Sequence, residues 1–171
     1  MDLKTLIRDV PDFPVPGILF RDITPLLQSP SAFDQALDAL QAYVESRKAE
    51  AIVGIESRGF ILGAPLASRL SLPFIPVRKP GKLPSARMSV EYALEYGEGQ
   101  LDIHSDALTP GQRVLIIDDL IATGGTAEAT GQLVGLLKAE IAGFAFLIEL
   151  ADLGGRDRLE GFDVFSLLRY E

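Results

Sequence analysis

The sequence predicts an α/β fold whose central sheet is mostly parallel and flanked by helices. Short apolar runs alternate with helical patterns along the chain, and the runs at 51–55 and 113–117 are apolar at nearly every position. Such runs are typical of strands buried on both faces, as parallel sheets require. With 171 residues, the chain is long enough for one sizeable core and too short for two independent domains. We therefore predict one domain, residues 1–171.

The first third of the chain predicts an irregular segment followed by an α/β core. Residues 1–30 are punctuated by prolines, which predicts a short helix and then irregular structure. Ser31 is the expected N-cap of an amphipathic helix over 31–48, whose apolar face carries Phe33, Leu37, Leu40 and Val44. The expected organisation is a small N-terminal segment, about residues 1–30, and an α/β core over about 31–171.

The rest of the chain alternates strand and helix patterns. A basic segment with two prolines and a glycine, residues 80–89, predicts a mobile loop before a hairpin that turns at 97–99. The other expected elements are strands at 51–55, 74–79, 113–119, 143–150 and 163–170, and helices at 60–70 and 126–140. In sheets of this kind ligands bind at the carboxyl ends of the strands. Glu56 to Gly59 and Asp118 to Thr126 are therefore expected there.

Composition excludes several classes of function. The net charge of −8 argues against broad binding of nucleic acid, which needs a basic face. The chain has no Cys for a thiolate site, no apolar run of about 18 residues and no secretory pattern at its start. We expect a cytoplasmic protein with neither a membrane nor a nucleic acid as partner.

The stretch "VLIIDDLIATGGT", residues 114–126, carries the chemistry. Its glycines allow a ligand to approach the main chain, and the N–H groups at the start of the next helix favour an anion. The threonines add hydroxyl donors. The two carboxylates suit sugar hydroxyls or hydrated Mg²⁺ instead. Ribose 5-phosphate combines both features. The stretch has neither the "GxxxxGK[ST]" pattern of a P-loop nor the "GxGxxG" pattern of a dinucleotide-binding turn. The alternative interpretation is a plain strand–helix turn with a solvated acidic pair.

This stretch resembles the donor-binding signature of type I phosphoribosyltransferases. Five further segments resemble their adenine-specific branch, in the same order and over nearly the whole chain: "PDFPVPGILFRDITPLL", "ESRGF", "VRKPGKLP", "LEYG" and "FSLLRYE". The resemblance implies the type I phosphoribosyltransferase fold, with residues 1–30 as a hood over the base site and a flexible loop and hairpin. It implies transfer of a 5-phosphoribosyl group from phosphoribosyl pyrophosphate to N9 of adenine, which gives AMP and pyrophosphate in purine salvage.

The resemblance also implies a role for particular residues. Glu95 and Arg58 are the expected catalytic residues, and Phe20 and Arg21 are expected at the adenine. Asp118, Asp119, Ala122, Thr123, Gly124, Gly125 and Thr126 are expected to bind the 5′-phosphate and ribose. Glu56, Ser57, Arg58, Gly59, Arg78, Lys79 and Lys82 are expected at the pyrophosphate, with a cis peptide bond between Glu56 and Ser57. Mg²⁺ is expected mainly through the substrate, with Asp118 and Asp119 as candidate ligands, and the protein is expected to be a homodimer.

Alternatives remain for several of these residues. The alternative interpretation of Glu95 is a solvent-facing carboxylate on a strand. The alternative interpretation of Arg58 is an ordinary cation at the start of a helix. Relatives acting on 6-oxopurines commonly carry Asp where this chain has Ala122, which favours adenine. The alternative functions are a phosphoribosyltransferase for another purine and a non-catalytic regulator that senses phosphoribosyl pyrophosphate.

Overall fold

The computed structural model describes residues 1–94 and 97–171. Glu95 and Tyr96 therefore lie outside the described residues. The chain divides into two compact units, Met1–Ala39 and Leu40–Glu171. Within the described ranges, no helix is both long and apolar enough to cross a membrane.

The second unit is built on a five-stranded sheet. Its strands are β3 (Ala51–Ile55), β4 (Phe74–Val77), β7 (Arg113–Ile121), β8 (Glu140–Leu150) and β9 (Val164–Tyr170). They lie side by side in the order β4-β3-β7-β8-β9, and every neighbouring pair is parallel. The predicted fold class, a parallel sheet flanked by helices, is confirmed.

Helices cover both faces of this sheet because the central strands are apolar on both sides. Ile117 of β7 lies against Gly63 of helix α3 (Arg58–Leu70). The adjacent Ile116 belongs to a buried cluster with Leu133 of helix α4 (Gly125–Leu136). Successive side chains of a strand point to opposite faces, so an unbroken apolar run requires a cover on each.

A two-stranded antiparallel hairpin, β5 (Arg87–Ala93) and β6 (Glu98–His104), lies beside this sheet. It joins the end of β4 through a bridge in which Arg78 and Asp102 exchange two backbone hydrogen bonds, of 3.0 and 2.8 Å. The predicted hairpin is confirmed, and its first strand begins at Arg87, inside the expected loop of 80–89.

The first unit contains more regular structure than its prolines indicated. A 3-10 turn (Leu3–Leu6) precedes a hairpin of β1 (Arg8–Pro11) and β2 (Leu19–Asp22), and a short helix α1 (Thr24–Leu27) follows. The expectation of irregular structure after the first turn was wrong. Ion pairs of Arg8 with Asp22 and of Arg21 with Asp9 join the strands, and sequence patterns do not reveal cross-strand pairs.

Several element boundaries also differ from the prediction. Helix α2 (Pro30–Ser46) begins one residue before Ser31, so Ser31 lies in its first turn and is not its N-cap. Pro30 fits the first helical position because its fixed φ is already helical and its missing N–H is not needed there. The Phe33 N–H donates to the Ser29 carbonyl at 2.9 Å. Strand β7 ends at Ile121, two residues after the predicted end at Asp119, so the two carboxylates lie inside the strand as predicted.

Candidate active site

The parallel pairing of β3 and β7 brings two distant motifs to the same edge of the sheet. Gly54 of β3 lies opposite Ile117 of β7, so the residues after each strand are neighbours in space. A Cβ built on Gly59 would lie 3.0 Å from both Asp118 Oδ1 and the Ile117 carbonyl oxygen. Gly59 therefore allows helix α3 to start directly against the acidic end of β7.

The glycine turn, residues 122–126, connects β7 to helix α4. Gly124 precedes the helix with φ +84°, a conformation that side-chain-bearing residues adopt only under strain. The Glu128 N–H donates to the Gly124 carbonyl at 2.9 Å and is the first helical bond. Earlier N–H groups of a helix have no intrahelical acceptor, so those of Gly125 to Ala127 are oriented to receive an anion.

The glycine turn borders a cavity of about 220 Å³. Its lining combines the turn with the acidic pair and one cation: Arg58, Asp118, Asp119, Leu120, Ile121, Ala122, Thr123, Gly124, Gly125, Thr126, Ala127 and Phe146. All seven residues expected to bind the 5′-phosphate and ribose are among them. An anion at the helix start and hydroxyl groups at the carboxylates can occupy this cavity together.

Asp118 and Asp119 form an acidic pair near the end of β7. Asp119 is 4% exposed, and its N–H donates to Asp118 Oδ1 at 2.8 Å. Burial raises the pKa of Asp118 well above its ordinary value, and the nearby charge of Asp119 raises it further. The charge of Arg58 acts in the opposite direction. A cation bound against the pair would favour the ionised form of Asp118.

Arg58 joins the β3 motif to this acidic pair. Its Nε donates to Asp119 Oδ2 at 2.5 Å, and its side chain is 43% exposed. The guanidinium is thus fixed at one end while part of its surface faces solvent. A planar cation with five N–H donors can bind an anionic group without releasing the carboxylate.

Glu56 organises the start of the segment after β4. Its Oε2 accepts from Arg78 Nε at 3.1 Å and from the Lys79 N–H at 2.9 Å. Burial raises the pKa of Glu56, but these two hydrogen bonds and the charges of Arg78 and Lys82 outweigh it, so the pKa lies below its ordinary value. The peptide bond between Glu56 and Ser57 is cis, as the resemblance implied. Glu56 thus fixes the positions of Arg78 and the Lys79 main chain, and its role at the pyrophosphate stays a prediction.

The remaining cations of the loop differ in their surroundings. Lys79 and Lys82 are exposed. Arg87 lies 3.4 Å from Oδ2 of the fully buried Asp102. The other Asp102 oxygen accepts from Ser89 and Gln100. Arg87 is therefore tied to the base of the hairpin.

The residues expected at the adenine lie in the first unit. Phe20 is half-buried and meets Phe13 edge-on, with ring centroids 5.2 Å apart. Arg21, on the same strand, forms its ion pair with Asp9. Glu95, the expected catalytic carboxylate, lies outside the described residues. The roles of these three residues stay predictions.

The sequence analysis did not identify two residues that lie near the glycine turn. The Tyr92 hydroxyl on β5 lies 3.5 Å from Thr126 Oγ1. Gly155 lies directly against Ala122 and Gly124. Both contacts are formed by chain segments distant in sequence, so no local pattern indicates them.

The fold and this site define a phosphoribosyltransferase. The sequence matches the phosphoribosyl transferase domain family over residues 22–167. An adenine phosphoribosyltransferase of Synechococcus is 60% identical over 171 residues, covering 100% of both chains. One of Halothermothrix orenii is 54% identical, covering 99% of both. The chain belongs to the adenine phosphoribosyltransferase family.

Solved structures of this family agree with the fold. Adenine phosphoribosyltransferase from Thermoanaerobacter pseudethanolicus has a TM-score of 0.96 at 50% identity, with 99% of this chain and 98% of that chain covered. The Saccharomyces cerevisiae enzyme has a TM-score of 0.93 at 42% identity, with 98% and 97% covered. The yeast structure is a complex with adenine and an imino-altritol 1,6-bisphosphate.

Proposed function

We propose that this chain transfers a 5-phosphoribosyl group from phosphoribosyl pyrophosphate to N9 of adenine. The bond between C1′ of the ribose and the pyrophosphate oxygen breaks, and a bond between C1′ and N9 forms. The products are AMP and pyrophosphate, so the reaction salvages a free purine base. The observation that carries the proposal is the single cavity that joins the glycine turn, the acidic pair and Arg58.

The donor is oriented by the two halves of this cavity. The glycine turn receives the 5′-phosphate through the N–H groups at the start of α4 and the hydroxyls of Thr123 and Thr126. Asp118 and Asp119 accept hydrogen bonds from the ribose hydroxyls. This arrangement fixes the sugar at both ends, so C1′ is held in one place while its bond to pyrophosphate breaks.

The pyrophosphate binds at the start of helix α3. Arg58 supplies positive charge, Ser57 a hydroxyl, and Gly59 allows close approach to the main chain. Glu56 has an indirect role, because its hydrogen bonds hold Arg78 and the Lys79 main chain beside this site. Lys79 and Lys82 add charge from the loop, and in a homodimer Arg78 would bind the pyrophosphate of the neighbouring subunit.

The acidic pair also stabilises the transition state. As pyrophosphate leaves, the ribose ring gains positive charge, and fixed carboxylates close to that charge lower its energy. Burial and the charge of Asp119 raise the pKa of Asp118 in the free protein, and a cation bound against the acidic pair would lower that pKa again.

Three residues that do not belong to the glycine turn or the acidic pair bind and deprotonate adenine. Phe20 stacks on the base, the main chain at Arg21 binds its amino edge, and Glu95 accepts the N9 proton. The segment of residues 80–89 and its hairpin close over the reactants and exclude water, which would otherwise hydrolyse the donor. Relatives that act on 6-oxopurines commonly carry Asp at the position of Ala122, so this residue favours adenine as the base.

Mg²⁺ is the proposed cofactor, bound chiefly by the donor. Within residues 1–94 and 97–171, no cluster of three or more His, Cys, Asp or Glu could hold a metal by itself. Two adjacent carboxylates with substrate oxygens match the way Mg²⁺ is usually bound in phosphate-handling enzymes. When bound, it neutralises charge on the departing pyrophosphate. We place the protein in the cytoplasm as a homodimer.

An assay with Mg²⁺, phosphoribosyl pyrophosphate and each of adenine, hypoxanthine and guanine tests the proposal. AMP formed from adenine, with at most traces of nucleotide from the other bases, is the expected result. Faster reaction of hypoxanthine or guanine would overturn the choice of base. Donor binding without nucleotide from any base would instead indicate a regulator that senses phosphoribosyl pyrophosphate.

A further inference from the structure

The 3-10 turn Gly155–Leu159, here named the brace segment, lies directly behind the glycine turn. A Cβ built on Gly155 would lie 2.5 Å from the Ala122 carbonyl oxygen, 2.7 Å from Ile121 Cγ1 and 3.1 Å from the Gly124 nitrogen. Gly155 is buried and its φ is not in the left-handed region. Glycine is therefore needed here for space rather than for backbone conformation.

The contact is reciprocal between two main chains. A Cβ on Gly124 would lie 2.5 Å from the Gly155 carbonyl oxygen and 3.1 Å from its Cα. Gly124 is also the residue whose positive φ turns the chain into helix α4. Two backbones that touch without intervening side chains leave no flexible atom to absorb a displacement. The position of the brace segment thus limits the conformation of the glycine turn.

Arg156 anchors the brace segment to the sheet. Its Nε and Nη2 donate to the two carboxylate oxygens of Glu149, each at 2.8 Å. Its Nη1 donates to the Val164 carbonyl at 2.7 Å, and Nη2 also reaches Ser166 Oγ at 3.2 Å. Ser166 in turn donates to Glu149 at 2.5 Å. A bidentate pair with a carboxylate that is 4% exposed fixes both distance and orientation.

Two further contacts fix the far end of the brace segment. Leu159 is 2% exposed within the core cluster. Arg158 forms a half-exposed ion pair with Glu128 of helix α4 at 3.1 Å, a contact that contributes little energy by itself. The brace segment is therefore held to β8 and β9 by Arg156 and to the core by Leu159, with Gly155 as its point of contact with the glycine turn.

We propose that Gly155 is a positioning residue for the 5′-phosphate site, and that the brace segment anchored by Arg156 holds the glycine turn in its phosphate-binding conformation. Gly155 touches no substrate; it acts through Ala122 and Gly124. The proposal rests on the assignment of the glycine turn to the donor phosphate. If Gly155 positions the glycine turn, a substitution there weakens binding of ribose 5-phosphate. If Gly155 only stabilises the fold, the same substitution lowers the melting temperature and leaves the binding constant unchanged.

The test compares Gly155→Ala with Gly135→Ala, which adds the same methyl group to helix α4 where no atom lies within 4 Å of the new Cβ. The dissociation constant for ribose 5-phosphate is measured by calorimetry well below each variant's melting temperature. For Gly155→Ala we expect it to rise about tenfold, with a similar rise in KM for the donor and a smaller change in kcat. Gly135→Ala should match the wild type.

Arg156→Lys is a milder variant that keeps the charge but loses the bidentate geometry. We expect its dissociation constant for ribose 5-phosphate to rise about threefold. If Gly155→Ala does not fold, the dissociation constant of Arg156→Lys for ribose 5-phosphate tests the proposal. Ribose 5-phosphate binding within twofold of wild type in the variants that fold would overturn the proposal, even if their melting temperatures fall. A wild-type protein that fails to bind ribose 5-phosphate would instead refute the assignment of the glycine turn itself.

Discussion

Arg58 and Asp119 are joined by a 2.5 Å hydrogen bond from Nε to Oδ2, although 61 residues separate them in the chain. The contact links the start of helix α3 to the acidic end of β7. A cation assigned to the leaving group and a carboxylate assigned to the sugar therefore hold each other before any ligand binds. Groups that are fixed before the reaction need less reorganisation during it.

Asp119→Asn tests this relationship. The variant keeps the volume of the side chain but removes the negative charge that we propose to face the ribose ring, and Arg58 loses its ionic partner. We expect kcat to fall about 100-fold, the usual effect of removing one electrostatic contact to a transition state. Initial rates with saturating adenine and donor measure it. Asp106→Asn, an exposed acid after β6, is the control and should keep wild-type rates. A kcat within threefold of wild type for Asp119→Asn would contradict the proposed electrostatic role.

Gly59→Ala tests the close approach of helix α3 to β7. A new Cβ would lie 3.0 Å from Asp118 Oδ1 and from the Ile117 carbonyl, and that carbonyl is part of the rigid sheet. We expect the carboxylate to be displaced and kcat/KM for the donor to fall about tenfold. The melting temperature should also fall, because the Ile117 carbonyl and the Asp118 Cα at 3.2 Å can move only together with the backbone of the sheet. Gly135→Ala is again the control, and unchanged kcat/KM in both variants would show that the approach is not required.

The sequence predicted the central part of this site because its signals are local. Val114 to Thr126 contains a strand, two acids and a glycine turn in one continuous stretch, and parallel pairing places Glu56 to Gly59 beside it. The β1–β2 hairpin was missed because prolines at 11, 14 and 16 disfavour strands and cross-strand ion pairs have no signature in sequence. Gly155 was missed for a related reason: "GGRD" indicates only a turn until the fold places it behind Gly124.

Glu149→Gln is expected to lower stability in a pH-dependent way. The hydrogen bonds from Arg156 lower the pKa of Glu149 below its usual 4.5, against the opposing effect of burial. A group with a lowered folded-state pKa contributes stability above its unfolded pKa, and that contribution is lost as the pH falls through the folded value. We therefore expect a loss of about 2 kcal/mol at pH 7, or roughly 4–8 °C in melting temperature. The difference should shrink below pH 4.5.

Glu140→Gln provides a matched control for this pH dependence. Glu140 begins the same strand, β8, and also pairs with an arginine, Arg113, but its side chain is 57% exposed. Exposed pairs contribute little, so its melting temperature should change by less than about 2 °C. Thermal unfolding of both variants and the wild type from pH 3.5 to 8 makes the comparison. Equal losses in the two variants would show that the Arg156 anchor has no special energetic role.

Glu95→Gln tests the carboxylate proposed to take the N9 proton. The amide keeps the shape but cannot accept a proton, so we expect kcat to fall by about 10²–10⁴-fold while binding of the donor is unchanged. The acidic limb of the kcat/KM profile, which reports the free base, should also disappear. Glu98→Gln, an exposed acid at the start of β6, serves as the control and should behave as wild type. If Glu95→Gln keeps more than half of the wild-type kcat with its pH profile intact, the proton from adenine goes to another acceptor.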